Sequence, residues 1–145
     1  MFKIFVQTFN SYTNFIQNHL PNYVAKISGN GNAITGSTSF YQTNKGILVM
    51  TELQNVNDSF NFLGLKLKDT TCSASNENAE NTTPNENPIN EKVVELPPLL
   101  VSNNTAFSLI LADNFTLNEL PKFSLFVSST PHSTDTLACG KIVRY

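Results

Sequence analysis

Lys66 and Lys68 form a pair of cationic residues that alternates with leucines in a stretch that predicts a β-strand. Alternation places both ammonium groups on one face of the strand, where together they could bind an anion. An ammonium has three hydrogen-bond donors and no acceptor lone pair, so it repels a metal cation. The alternative is that both lysines are solvated and protect a sheet edge, which is a common role of lysine on exposed strands.

Cys72 and Cys139 are the two cysteines of the chain and are widely separated in the sequence. Their spacing does not match a zinc knuckle, which needs four ligands at short intervals. We expect a structural disulfide that ties a long loop to the sheet, with a reactive thiol pair as the alternative. A disulfide implies an oxidising environment, yet Met1–Val6 lacks the continuous apolar run and cleavage site of a secretory signal.

The other residues with catalytic or metal-binding chemistry form no recognisable constellation. His132 could join Glu95 or Asp69 around a metal, but a tetrahedral site needs three or four protein ligands. Ser128, His132 and Asp135 are the residue types of a hydrolase triad, but no nucleophile-elbow motif surrounds the serine. Neither a metal centre nor a hydrolase is therefore predicted from these residues.

The composition predicts one soluble globular domain. The chain has 145 residues, of which 40% are hydrophobic and 14% charged, and its formal net charge is -2. This length is sufficient for a domain with its own core. Because 9 basic residues against 11 acidic ones leave no cationic stripe for phosphates, we do not expect nucleic-acid binding. No apolar run approaches the roughly 20 residues that span a bilayer, so no membrane span is expected.

An N-terminal appendage over residues 1–22 precedes the region of predicted strands. Apolar residues in it recur at steps of four, three and four, which is the spacing of one helix face. These residues are Phe5, Phe9, Tyr12 and Ile16. The spacing predicts a helix that ends before Pro21, with a strand over the first six residues as the alternative. We expect the stripe to pack on its own domain, and a partner surface is the other interpretation.

Residues 23–145 alternate between short apolar or β-branched stretches and polar turns. This pattern predicts at least seven strands. They are Val24–Ser28, Ile34–Gln42, Ile47–Gln54, Phe60–Lys68, Thr105–Leu111, Phe123–Ser128 and Thr136–Val143. Ser73–Asn90 has almost no large apolar residue and predicts a long loop. We therefore expect an all-β domain, an antiparallel sandwich or barrel, over residues 23–145.

An ordered series of segments carries a family resemblance. The segments are Val24–Gly29, Ile34–Gly36, Phe40–Val49, Phe62–Asp69, Glu95–Leu100, Phe115–Glu119 and Leu137–Ile142. Together they resemble the copper/zinc superoxide dismutases, in particular the branch found in spore-forming Gram-positive bacteria. The resemblance covers about residues 23–143 and implies a Greek-key β-barrel. It also implies that Cys72 and Cys139 form the family's intrasubunit disulfide.

The residues that would hold the family's two metals differ in this sequence. Where the family has Gly-Phe-His-Ile-His-Glu, with two copper-binding histidines, this chain has lysine at both positions, Lys66 and Lys68. The resemblance places the last copper histidine at Val127 and the zinc aspartate at Glu95. The histidines of the loop would fall near Asn81, Asn87 and Asn90. Imidazole suits copper and zinc because it is neutral and borderline-soft, and these side chains do not replace it.

The sequence therefore predicts a superoxide dismutase-like barrel without cofactors that is not an enzyme. The resemblance and the lost ligands suggest a structural or protein-binding role, through protein partners or self-association. The candidate interaction residues are Phe5, Phe9, Tyr12, Ile16, Lys66 and Lys68. We expect a spore layer or the cell surface as the location, because spore-coat proteins meet oxidising conditions after synthesis. The alternative is a diverged superoxide dismutase-type metalloenzyme with an unrecognised metal site.

Overall fold

The computed structural model describes residues 12–72 and 92–145. Residues 12–18 are helical, and eight strands follow. The strands are β1 (Tyr23–Gly29), β2 (Thr35–Thr43), β3 (Gly46–Gln54), β4 (Phe62–Lys68), β5 (Val93–Ser102), β6 (Thr105–Ala112), β7 (Ser124–Ser128) and β8 (Ala138–Arg144). A 3-10 helix, Leu117–Lys122, lies between β6 and β7.

The strands form one closed antiparallel barrel in the order β1-β2-β3-β6-β5-β4-β7-β8. Strands β4, β5 and β6 are consecutive neighbours, while β3 lies beside β6 and β7 lies beside β4. Each set of four strands, β3 to β6 and β4 to β7, therefore has Greek-key connectivity. The prediction of an all-β antiparallel domain is confirmed, and closure into a barrel decides between the two architectures that the sequence left open.

The barrel interior is filled by alternate residues of the strands, as the period of two requires. Leu65 and Leu67 of β4 face the core and are paired in register with Val127 and Leu125 of β7. Phe40 of β2 is fully buried there. Because β4 turns its leucines inward, the residues between them must lie on the outer surface.

Strand β5 is the element that the sequence analysis missed, because Pro97 and Pro98 lie inside it. Its register with β4 shifts between the pairs Leu63–Leu99 and Leu65–Leu96, so a bulge places two prolines opposite one glycine. Gly64 fits there, since a Cβ on it would lie 2.2 Å from the Ser128 Oγ. Pairing of β5 with β6 is confined to residues 100–102, so the prolines remove no bond from that ladder.

Candidate functional site

The outer surface of β4 and β7 brings Lys66 and Lys68 together. Lys66 is in register with Phe126 on β7 and with Glu95 on β5. Lys68 is in register with Ser124 on β7. Both lysines are half-buried. The segment between β7 and β8 lies close to Lys66. The two ammonium groups thus share one face of the sheet.

Both ammonium groups of this face already have partners in the fold. The Nζ of Lys66 donates to the backbone oxygen of Ser133, at 3.0 Å. The Nζ of Lys68 lies 5.0 Å from the ring centroid of Phe126, which is a cation–π contact. The first contact fixes the segment between β7 and β8 over β4, and the second covers the Phe126 ring. No local sequence pattern indicated either partner, because Ser133 and Phe126 are far from the two lysines along the chain.

Val127 does not belong to this face. It is 0% exposed and faces Leu65 in the barrel core. The residue of β7 that shares the outer face with the lysines is Phe126. A shift of one residue along a strand moves a side chain to the other side of the sheet. The sequence does not reveal this alternation, because the inward residues Leu125 and Val127 and the outward residue Phe126 are all apolar.

The remaining residues proposed from sequence are distributed as follows. Glu95 is exposed on β5 opposite Lys66, but the lysine donates to Ser133 instead. Tyr12 and Ile16 lie on the helical segment 12–18 and are half-buried. Phe5, Phe9, Asn81, Asn87 and Asn90 lie outside the described residues.

The helical segment contacts the outer face of β2 through one aromatic residue. The rings of Phe15 and Tyr41 meet edge to face, with centroids 6.3 Å apart. On the same segment Phe15 stacks on His19 at 3.8 Å. The pKa of the Tyr41 hydroxyl is raised, and burial is the main cause. The aromatic residues that contribute to this contact therefore include Phe15, which lies outside the stripe singled out in the sequence.

The segment between β7 and β8 is held by short-range hydrogen bonds. The Asp135 carboxylate accepts from the Ser129 amide N–H at 3.2 Å and from the Ser133 hydroxyl. Two side-chain amides in the β1–β2 turn hold its far end. Asn30 Nδ2 donates to the oxygen of Thr136 and Asn32 Nδ2 to that of Leu137, at 3.0 and 2.9 Å. From the sequence, the β1–β2 turn was predicted only to connect two strands. The two hydrogen bonds from Asn30 and Asn32 were not predicted.

The three residue types of a hydrolase triad do not meet in this segment. The Ser128 hydroxyl donates to the backbone oxygen of Thr130 at 2.7 Å. Asp135 is engaged with Ser129 and Ser133, and His132 is exposed. A nucleophile needs its base within hydrogen-bond reach, and no such contact joins these side chains in the part of the chain that the structure describes. Over residues 12–72 and 92–145, histidine, cysteine and carboxylate side chains also form no group of three that could hold a metal.

A disulfide joins Cys72, after the end of β4, to Cys139 in β8. The Cα atoms are 5.7 Å apart, and Cys139 is buried. The predicted disulfide between the two cysteines is therefore confirmed. A cavity of about 210 Å³ lies beside it, with Lys122 and Lys141 among the residues that line it.

No family model matches this chain, and no curated protein does either. The fold and the contacts of the described residues are therefore the basis for the function proposed below. Within residues 12–72 and 92–145, none of the helices has the length and hydropathy needed to cross a bilayer.

Acidification is expected to weaken the hydrogen bonds that Asp135 accepts within the segment between β7 and β8. The pKa of Asp135 is held below its ordinary value of 3.8, mainly by the hydrogen bond from Ser133 and also by those from Ser129. Since the pKa is lower in the folded than in the unfolded chain, the stabilisation is full above the ordinary pKa and is lost as the pH falls through the lowered one. We expect the amide resonance of Ser129, followed by NMR, to titrate below pH 3.8.

The matched control for this titration is Asp135→Asn. The amide cannot ionise, so the Ser129 resonance should lose its pH dependence in the acid range. An inflection in the natural chain at or above the ordinary carboxyl pKa would contradict the expected direction, because it would mean that the fold does not favour the carboxylate.

Proposed function

We propose that this protein is a non-catalytic barrel of the superoxide dismutase type with a structural, protein-binding role. Two features support the family assignment. The eight strands have Greek-key connectivity, which is the architecture that the sequence resemblance implies. The disulfide joins the cysteines at the positions where the resemblance places the family's own bridge.

The observation that carries the proposal is the chemistry of the outer face of β4. The two positions that the resemblance assigns to copper-binding imidazoles hold ammonium groups. Phe126 on β7 is in register with Lys66 on β4 and with Cys139 on β8. An ammonium has no lone pair to donate to copper, and a phenyl ring offers no nitrogen or oxygen. Lys66 is also held by the Ser133 carbonyl. The residues of this face therefore do not fit a copper ion.

The same contacts support a structural role. In the proposed protein, Lys66 fixes the β7–β8 segment on the barrel through Ser133, and the contact of Lys68 with Phe126 joins β4 to β7. A hydrogen bond to a charged donor contributes about 1.5–3 kcal/mol when it is shielded from water, and an exposed cation–π contact about 0.5–1 kcal/mol. These contacts use the side chains of the chain itself and no cofactor. A location in a spore layer or at the cell surface is consistent with the disulfide.

Metal loading tests this function. The purified chain is incubated with copper and zinc, dialysed and measured by elemental analysis and by a superoxide dismutation assay. We expect neither stoichiometric metal nor turnover. The variant Lys66→His/Lys68→His restores two imidazoles on one strand face and is expected to retain copper under the same conditions, because imidazole is a strong copper ligand.

The two proteins together decide the outcome. Stoichiometric copper with superoxide turnover in the natural chain would overturn the proposal and favour a diverged metalloenzyme. Copper retained by the double variant alone would show that the outer face of β4 has room for a metal, and that the identity of the two side chains prevents binding.

A further inference from the structure

The turn between β1 and β2 contains the only Asn-Gly pair of the sequence, Asn30-Gly31. Gly31 is exposed and has a φ of +74°, in the left-handed region that favours glycine. A Cβ built on Gly31 would have no atom within 4 Å beyond its own chain neighbours, so the space around this residue is open. The backbone at Gly31 is therefore not shielded by packing.

The backbone nitrogen of Gly31 also has no hydrogen bond to hold it. Over residues 12–72 and 92–145, the backbone N–H groups of Gly29, Asn30 and Ile34 donate to other groups, whereas that of Gly31 has no acceptor. Asn30 is exposed, and among the same residues its side-chain oxygen accepts no hydrogen bond. A nucleophile and an electrophile that neighbour each other in one chain react faster than separate molecules do, when their geometry allows it. An unpaired backbone nitrogen thus neighbours a side-chain amide whose carbonyl group has no donor.

We propose that Asn30 is a site of spontaneous deamidation. The nitrogen of Gly31 gives up its proton and forms a bond to Cγ of Asn30, while the bond from Cγ to Nδ2 breaks and ammonia leaves with that proton. Water then opens the resulting succinimide ring at one of its two carbonyl carbons. Attack at Cγ gives aspartate, and attack at the backbone carbonyl carbon of residue 30 gives isoaspartate. Solvent water is the co-reactant, and no atom is oxidised or reduced.

The reaction removes one of the hydrogen bonds that hold the segment between β7 and β8. Asn30 Nδ2 donates to the oxygen of Thr136 at 3.0 Å, and because this bond is exposed, water can replace it and let the side chain turn. A carboxylate has no proton to donate, so after the reaction two acceptors face each other at this contact. In the aspartate product, Leu137 stays held by the backbone nitrogen of residue 30 and by Asn32, both at 2.9 Å. Deamidation is therefore expected to loosen the segment at Thr136 without detaching it.

Asn32 in the same turn provides an internal comparison. Its Nδ2 donates to the oxygen of Leu137 at 2.9 Å and its Oδ1 accepts from the Ile34 nitrogen at 3.0 Å, so both ends of its side-chain amide are held. The next residue is Ala33, whose Cβ restricts the backbone that would have to attack. We expect deamidation about tenfold slower at Asn32 than at Asn30, which corresponds to about 1.4 kcal/mol in the barrier.

Incubation of the folded chain in water enriched in the heavy oxygen isotope tests the proposal. Mass spectrometry of its peptides is expected to find one heavy oxygen at residue 30, in aspartate and isoaspartate. Asn30→Gln is the matched control, because it keeps a side-chain amide but must close a larger ring, so labelling at residue 30 should nearly cease. Asn30→Asp is the aspartate product made directly. In NMR it should shift the Thr136 resonances as they shift in the aged natural chain.

The position of the label decides the outcome. Label that accumulates at residue 30 no faster than at Asn32 would overturn the proposal, as would label at residue 30 that appears in urea but not in the folded chain. Labelling of Asn30→Gln at the rate of the natural chain would also contradict the succinimide route. Thr136 resonances that stay unchanged in Asn30→Asp would refute the loosening of the segment. None of these results depends on metal loading, so they leave the function proposed above to its own test.

Discussion

Removal of the Cys72–Cys139 disulfide is expected to lower the free energy of unfolding by about 4 kcal/mol. The bridge closes a loop with a sequence separation of 67 residues. In the loop-entropy model, a cross-link of that span restricts the unfolded chain by about this amount, while the folded barrel gains little from it. The loss is large against the roughly 5–15 kcal/mol by which domains are usually stable.

The variant for this measurement is Cys72→Ser/Cys139→Ala. Cys139 is buried, so alanine avoids placing an unpaired hydroxyl in the sheet, whereas Cys72 is partly exposed and tolerates serine. Unfolding in urea can be followed by circular dichroism. Reductant should lower the natural chain to the level of the variant and leave the variant unchanged. A variant within about 1 kcal/mol of the oxidised natural chain would refute the expected contribution.

The seven strands proposed from sequence all have counterparts in the barrel, because each is a short apolar or β-branched stretch bounded by polar turns. Phe60–Lys68, for example, corresponds to β4, Phe62–Lys68. The eighth strand, β5, escaped because Pro97 and Pro98 suggest a turn. Its prolines are tolerated by a bulge opposite Gly64 and by an edge that β6 does not pair, and both depend on tertiary structure.

The candidate site could also be predicted only in part: the shared face of the two lysines, but not their partners. Lys66 and Lys68 were predicted to share one face of a strand, because residues two apart in a strand point to the same side. Their partners did not follow, because Ser133 is 67 residues from Lys66 in the chain and no local pattern links them. The resemblance also placed the last copper histidine at Val127, which the structure puts in the barrel core, while Phe126 shares the outer face with the two lysines. In a strand that is apolar on both sides, only the register with its neighbours identifies the inward side.

The alternation of inward and outward residues separates the barrel core from the surface that carries Lys66 and Lys68. Every inward residue of β4 and β7 in the pairs Leu65–Val127 and Leu67–Leu125 is apolar, so the core is complete without the outer face. Changes at Lys66 and Lys68 then leave the packing of the core in place and act on the surface contacts with Ser133 and Phe126. This separation is typical of folds whose function is carried by surface residues.

Phe40→Ala is expected to lower the free energy of unfolding by about 3–5 kcal/mol, the usual cost of truncating a buried phenylalanine. Phe40 is 0% exposed, and its ring meets that of Phe115 edge to face, with centroids 6.4 Å apart. The substitution removes apolar contact and leaves a cavity between β2 and the segment that follows β6. It also removes an aromatic pair worth about 0.5–1.5 kcal/mol beyond its buried area.

Phe62→Ala is the matched control, since it makes the same chemical change at a side chain that is 48% exposed on β4. We expect it to cost about 1 kcal/mol or less, because little packing is lost and no enclosed cavity forms. Urea unfolding of both variants, followed by circular dichroism, measures the two losses in free energy. Equal losses in the two variants would contradict the placement of Phe40 inside the barrel, because a surface and a core phenylalanine cannot contribute equally to packing.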